Sequence, residues 1–141
     1  MTTRGTPRRV DVQMDAAQQH HAKKEYAEAR RLFGLAADQG LADAQFNLGY
    51  MLQHGQGGPQ DYVAARRLYG LAADQGLADA QYGLGYMHDQ GHGVPQDYAA
   101  ARRWYGLAAD QGLAESQYSL GIMHDQGQGV PQDSAAARRW Y

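Results

Sequence analysis

The 141-residue sequence contains no cysteine. That excludes a disulfide framework, thiolate-bound zinc, iron–sulfur clusters and a cysteine nucleophile. Large aliphatic side chains are scarce as well: Leu, Ile, Val and Phe together make up only 20 residues, a share low enough to raise the question of disorder. Disorder also needs an excess of one charge, and that too is missing. Thirteen Lys and Arg face 15 Asp and Glu, a formal net charge of −2. The same balance removes the basic field that nucleic acid or an anionic membrane would require of a partner. No apolar run is long enough for a spanning helix. Met1 to Arg9 is polar and basic, without the apolar stretch of a secretory signal. The expected compartment is the cytoplasm, with residues 1–9 extended or disordered.

What the chain does have is small residues and rings: 24 Ala, 17 Gln, 18 Gly and ten Tyr. Small residues let helices approach closely, and aromatic rings fill the gaps that remain. The composition predicts closely packed Ala-rich helices with no large aliphatic core.

Internal repetition organises the rest. Gly34-Leu35-Ala36-Ala37-Asp38-Gln39-Gly40-Leu41-Ala42 returns at Gly70 and again at Gly106, a period of 36 residues. Residues 61–96 and 97–132 agree at 29 of 36 positions. Each period reads as two helices. The first is expected over residues 42–54, 78–90 and 114–126, with Ala44, Leu48 and Met51 forming a helical stripe that recurs as Ala80, Leu84, Met87 and as Ser116, Leu120, Met123. The second is expected over about 62–75, with Tyr62, Ala65, Tyr69, Ala72 and Ala73 on one side. Asp61, Asp97 and Asp133 are its expected N-caps, and Gly40, Gly76 and Gly112 follow its end. The Gly- and Pro-bearing six-residue connection 55–60, with its copies, is a turn and not a linker. Val10 to Ala22 reads as a degenerate helix on a shorter loop. Short connections make neighbours antiparallel and stack the hairpins. Gly49, Gly85 and Gly121 fall inside the first helix, where a glycine costs about 1 kcal/mol against alanine; their recurrence predicts close backbone contact with the adjacent helix. Gly70 and Gly106, inside the second helix, have no comparable explanation in the sequence.

The pattern Ala44-Gln45-x-x-Leu48-Gly49-x-Met51, Gly55-x-Gly57, Pro59-x-Asp61-Tyr62 and Tyr69-x-x-Ala72-Ala73-x-Gln75-Gly76 resembles the Sel-1-like repeat, a relative of the tetratricopeptide repeat. The resemblance implies an all-α, right-handed α/α superhelical solenoid. It covers a degenerate unit at about 10–40, units at 41–76 and 77–112, and a last one, 113–141, cut within its second helix. It also implies a non-enzymatic adaptor that holds a protein or peptide. A Cys-rich branch of that family is associated with β-lactam binding and hydrolysis, so a hydrolase of cell-wall or β-lactam type is the alternative activity, and the missing cysteines speak against it. A purely structural, self-associating module is a further alternative. The chain stops after Arg138-Arg139-Trp140-Tyr141 without a polar cap, which predicts end-to-end self-association or a longer parent chain.

By analogy with tetratricopeptide solenoids, the expected partner surface is the concave face, lined by the stripe beside the core of each first helix. It comprises Asp43, Asn47, Tyr50 and His54; then Asp79, Gly83, Tyr86 and Gln90; then Glu115, Ser119, Ile122 and Gln126. Four of the seven differences between residues 61–96 and 97–132 lie in this helix, as expected of a tunable groove or of drift on a solvated face. Tyr50 and Tyr86 read either as anchors for a peptide or as packing between units. Arg66-Arg67, Arg102-Arg103 and Arg138-Arg139 form a ladder that either grips an acidic partner or pairs locally with Asp. His88 and His92 are the only metal-like spacing, but Gly91 is expected to end the helix between them; His20-His21 reads as surface. No metal, cofactor or catalytic set is expected: Ser116, Ser119 and Ser134 lie in helices away from any nucleophile elbow, and Gly55-Gln56-Gly57-Gly58-Pro59 lacks the Lys and hydroxyl of a phosphate loop.

Overall fold

A computed structural model describes residues 8–128. Among them lie seven α-helices and no strand: α1 (Arg9–Ala22), α2 (Tyr26–Asp38), α3 (Ala42–His54), α4 (Tyr62–Asp74), α5 (Ala78–Gln90), α6 (Tyr98–Asp110) and α7 (Ala114–Gln126). The first helices match their expected limits, and α4 ends one residue early because Gln75 serves as its cap. Arg9, expected in an extended leader, opens α1. Met1 to Pro7, the Asp133 cap, Ser134, the Arg138-Arg139 rung and the cut final helix lie outside the described residues.

The helix ends follow from local chemistry. Asp61 and Asp97 accept hydrogen bonds from the backbone N–H of Ala64 and Ala100, each at 3.0 Å, so both are side-chain N-caps. The second helices close with the double bond of a Schellman turn: in α4, Gly76 N–H donates to Ala73 O at 2.9 Å and Leu77 N–H to Ala72 O at 3.2 Å. Gly76 sits there at φ +89, which a side chain would resist. The first helices instead run into a left-handed cap at Gly55, Gly91 or Gly127.

Packing follows chain order. Among the described residues each helix lies against the next in the chain, so that α3 and α5 each meet the second helix of their own hairpin and that of the hairpin before, and α1 to α7 form a stacked α/α solenoid. The core is accordingly divided into three apolar clusters strung along the stack, around Phe33 and Met51, Tyr69 and Met87, and Tyr105 and Met123. The expected stripes are buried except at Leu48, which is half-buried: Ala44, Met51, Ala80, Leu84, Met87, Ser116, Leu120 and Met123 all lie inside.

Two of the contacts that join one hairpin to the next recur along the stack. Tyr69 leaves α4 and places its ring between α3 and α5. A Cβ added to Gly49 would lie 2.9 Å from ring carbons Cδ1 and Cε1, and one added to Gly83 would lie 3.1 Å from Cδ2 and Cε2 on the other edge. In the next unit a Cβ on Gly85 would come within 2.5 Å of Tyr105. The close approach expected at Gly49 and Gly85 is therefore made chiefly to a tyrosine ring; backbone comes second, with Ala65 O at 3.3 Å from a Gly49 Cβ. The second contact is polar. The Gln75 amide donates to Gly40 O at 2.9 Å and to the Gln45 side-chain oxygen at 2.9 Å, and Gln111 repeats both bonds to Gly76 and Gln81.

Candidate functional site

The first helices α3 and α5, with the start of α7, border an open hollow of about 310 Å³. Phe46, Tyr50 and His54 line it from α3, and Asp79, Tyr82 and Tyr86 from α5. Leu113 and Glu115 close it at the start of α7, and Tyr69 with Gly83 lies at its floor. Phe46 stacks on Tyr69 with ring centroids 5.6 Å apart, and Tyr50 packs on His54 at 4.2 Å. Offset rings of this kind hold one another in place. The rims stay wet, with Tyr50 40% and Tyr86 36% exposed. The two tyrosines are therefore not sealed between units.

The floor is polar but satisfied. Tyr69 Oη donates to Gln53 Oε1 at 2.6 Å, and in the next hairpin Tyr105 Oη donates to Asp89 Oδ2 at 3.2 Å, from the equivalent position. Burial pushes both phenols above their ordinary range, with Asp89 adding to the shift at Tyr105, so both remain donors at neutral pH. Burial also raises the Asp89 carboxyl, against the opposing pull of the Tyr105 hydrogen bond.

Of the stripe expected from sequence, Tyr50, His54, Asp79, Gly83, Tyr86 and Glu115 come together at the hollow. Gly83 does so as buried floor and not as exposed surface, because the Tyr69 ring covers it. Asp43, Asn47, Gln90, Ser119, Ile122 and Gln126 lie outside the lining. Asn47 turns back along its own helix, its amide donating to Asp43 O at 2.8 Å. Sequence reasoning missed Phe46, Gln53, Tyr69, Tyr82 and Leu113. The signal for two of them was present: an aromatic residue recurs at 46, 82 and 118, one per first helix.

The other candidates separate. Gly91 takes φ +70 and ends α5 at Gln90, so His88 and His92 share no helix face. His92 instead stacks on Tyr62 at 4.4 Å and meets Tyr86 edge-on at 5.7 Å. His88 buries an unpartnered Nδ1. Burial lowers its pKa, Asp97 opposes the shift, and Arg66 and Arg103 reinforce it. Among the described residues, no three His, Asp or Glu converge as metal ligands. His21, expected at the surface, is half-buried and holds the neighbouring turn through Gln56 Oε1 at 3.0 Å. Of the two readings of the arginine ladder, local pairing with Asp is not made: Arg66, Arg67, Arg102 and Arg103 are exposed and form no ion pair among the described residues. Nor does any helix there have the length and apolarity to cross a membrane.

Stacked helical hairpins that join through repeated ring and glutamine contacts define a repeat solenoid, a class of protein that works through an extended surface. The Sel1 repeat model matches residues 19–41, 42–77, 78–113 and 114–141, and the chain belongs to the Sel1 repeat family. The crystal structure of c5321, a protective antigen present in uropathogenic Escherichia coli strains and displaying an SLR fold, is similar with a TM-score of 0.90 and 34% identity. The match covers 94% of this chain and 29% of that one. A Sel1 repeat protein from Oxalobacter formigenes is similar with a TM-score of 0.84 and 32% identity, over 94% of this chain and 56% of its own. This chain thus spans less than a third of the first relative and a little over half of the second. No curated protein matches it.

Proposed function

We propose that the chain is a non-enzymatic scaffold that binds a protein or peptide along the shared, concave side of its first helices. One observation carries this reading: the hollow crosses three successive hairpins and exposes Tyr50 and Tyr86 at its rim. A tyrosine supplies broad contact area and loses little rotamer freedom on binding. Both rings are already positioned by neighbours, Tyr50 by His54 and Phe46 and Tyr86 by His92. A preformed surface lowers the ordering cost of association. The scaffold role typical of Sel1 repeat proteins supports the same reading.

The test is retention of binding proteins from an extract by the immobilised chain. In the Tyr50→Ala and Tyr86→Ala variants each truncation should weaken capture, by about 1–2 kcal/mol if the ring is an anchor, with far-UV circular dichroism unchanged. Release by Arg66, Arg67, Arg102 or Arg103 substitutions, with the tyrosine variants still binding, would place the partner on the second helices and end this reading.

A further inference from the structure

We infer that the hollow receives the guanidinium of an arginine carried on a partner peptide. This rests on the groove proposed above and adds the chemistry of its occupant. Phe46, Tyr50, Tyr82 and Tyr86 supply the walls, and the face of an aromatic ring attracts a cation. Asp79 and Glu115 supply the charge from α5 and α7. Both carboxylates are exposed, and neither forms an ion pair among the described residues. No lysine or arginine lines the hollow, and the exposed Arg66, Arg67, Arg102 and Arg103 belong to the second helices. An acidic segment would meet two carboxylates with no counter-charge. A wholly apolar one would strip water from them and offer nothing in return. Arginine fits better than lysine because its planar fork can stack on a ring and present paired donors to a carboxylate at once.

The probe is a capped alanine pentapeptide with arginine at its centre, titrated into the intact chain and followed by the ring resonances of Tyr50 and Tyr86. Matched peptides carry lysine, glutamine or glutamate at the same place, and free arginine is a separate arm. The arginine peptide should shift both rings saturably, the lysine peptide should bind more weakly, and the glutamine and glutamate peptides weakest. Asp79→Asn and Glu115→Gln should each weaken the arginine peptide about fivefold, the loss of one exposed ion pair. Asp43→Asn, at the same register of α3 but outside the hollow, should leave it unchanged and checks that the effect is local. Equal binding of the glutamine peptide at the same tyrosines would overturn the cation and leave the groove standing. Equal loss in Asp43→Asn would reduce the effect to net charge, and free arginine binding as well as the peptide would remove the peptide occupant. If no probe moves Tyr50 and Tyr86, the inference falls, while the groove itself is judged by the capture experiment with Tyr50→Ala and Tyr86→Ala.

Discussion

The first helices and the second helices both carry a glycine in mid-helix, and the two sets behave in opposite ways. Gly49 and Gly85 face a tyrosine ring so closely that even a methyl group has no room. Gly34, Gly70 and Gly106 face open space, with no atom within 4 Å of an added Cβ. The same residue is thus a packing device on the first helices and an unused cost on the second. The sequence repeats both with equal regularity, so regularity alone does not reveal purpose. What separates them is whether a large side chain from the neighbouring hairpin has to pass.

The contrast can be broken most forcefully at Gly85. Gly85→Ala gains helix propensity but drives a methyl into the Tyr105 ring, held between helices. Overpacking of about 1–3 kcal/mol should outweigh the propensity gain of about 1 kcal/mol. The expected outcome is a net loss of up to about 2 kcal/mol in urea unfolding. On the second helices the sign reverses. Gly70→Ala and Gly106→Ala should each stabilise by about 1 kcal/mol, read as a rise in melting temperature with partner capture intact. If Gly85→Ala also stabilises, the ring contact is softer than the geometry indicates.

A smaller effect sharpens the comparison where the two sets of helices meet. Burial lowers the pKa of His88, at the end of first helix α5; Arg66 and Arg103 of the second helices add to the shift and Asp97 opposes it. The folded chain therefore binds this proton less readily than the unfolded one. Its contribution is complete above the ordinary value of about 6.5 and is lost as pH falls through the lowered one. His88→Leu, which copies Leu52 at the same register, should make the loss of stability between pH 7 and 5 shallower.

Most of the fold was legible because the period fixes so much at once. Asp61 and Asp97 announce helix starts, Gly40 and Gly76 announce ends, and Ala44 to Met51 mark the buried stripe. The candidate site was legible in part. Tyr50, Tyr86, Asp79 and Glu115 follow from a stripe drawn on a single helix. Gly83 was misplaced by that same construction, because what covers it is Tyr69, which arrives from another helix. Phe46 and Tyr82 lie between core and rim, where a one-helix stripe has no assignment for them. The local pairing read for the arginine ladder failed for a related reason: a nearby Asp in sequence does not guarantee one within reach across the helix surface.

The bond from Gln75 to Gly40 is made again by Gln111 to Gly76. A joint that repeats unchanged from one step to the next does not record how many steps precede it. Array length is then a free variable: a unit could be added or removed without redesigning its neighbours, and the stack would lengthen or shorten in fixed increments like the divisions of a ruler.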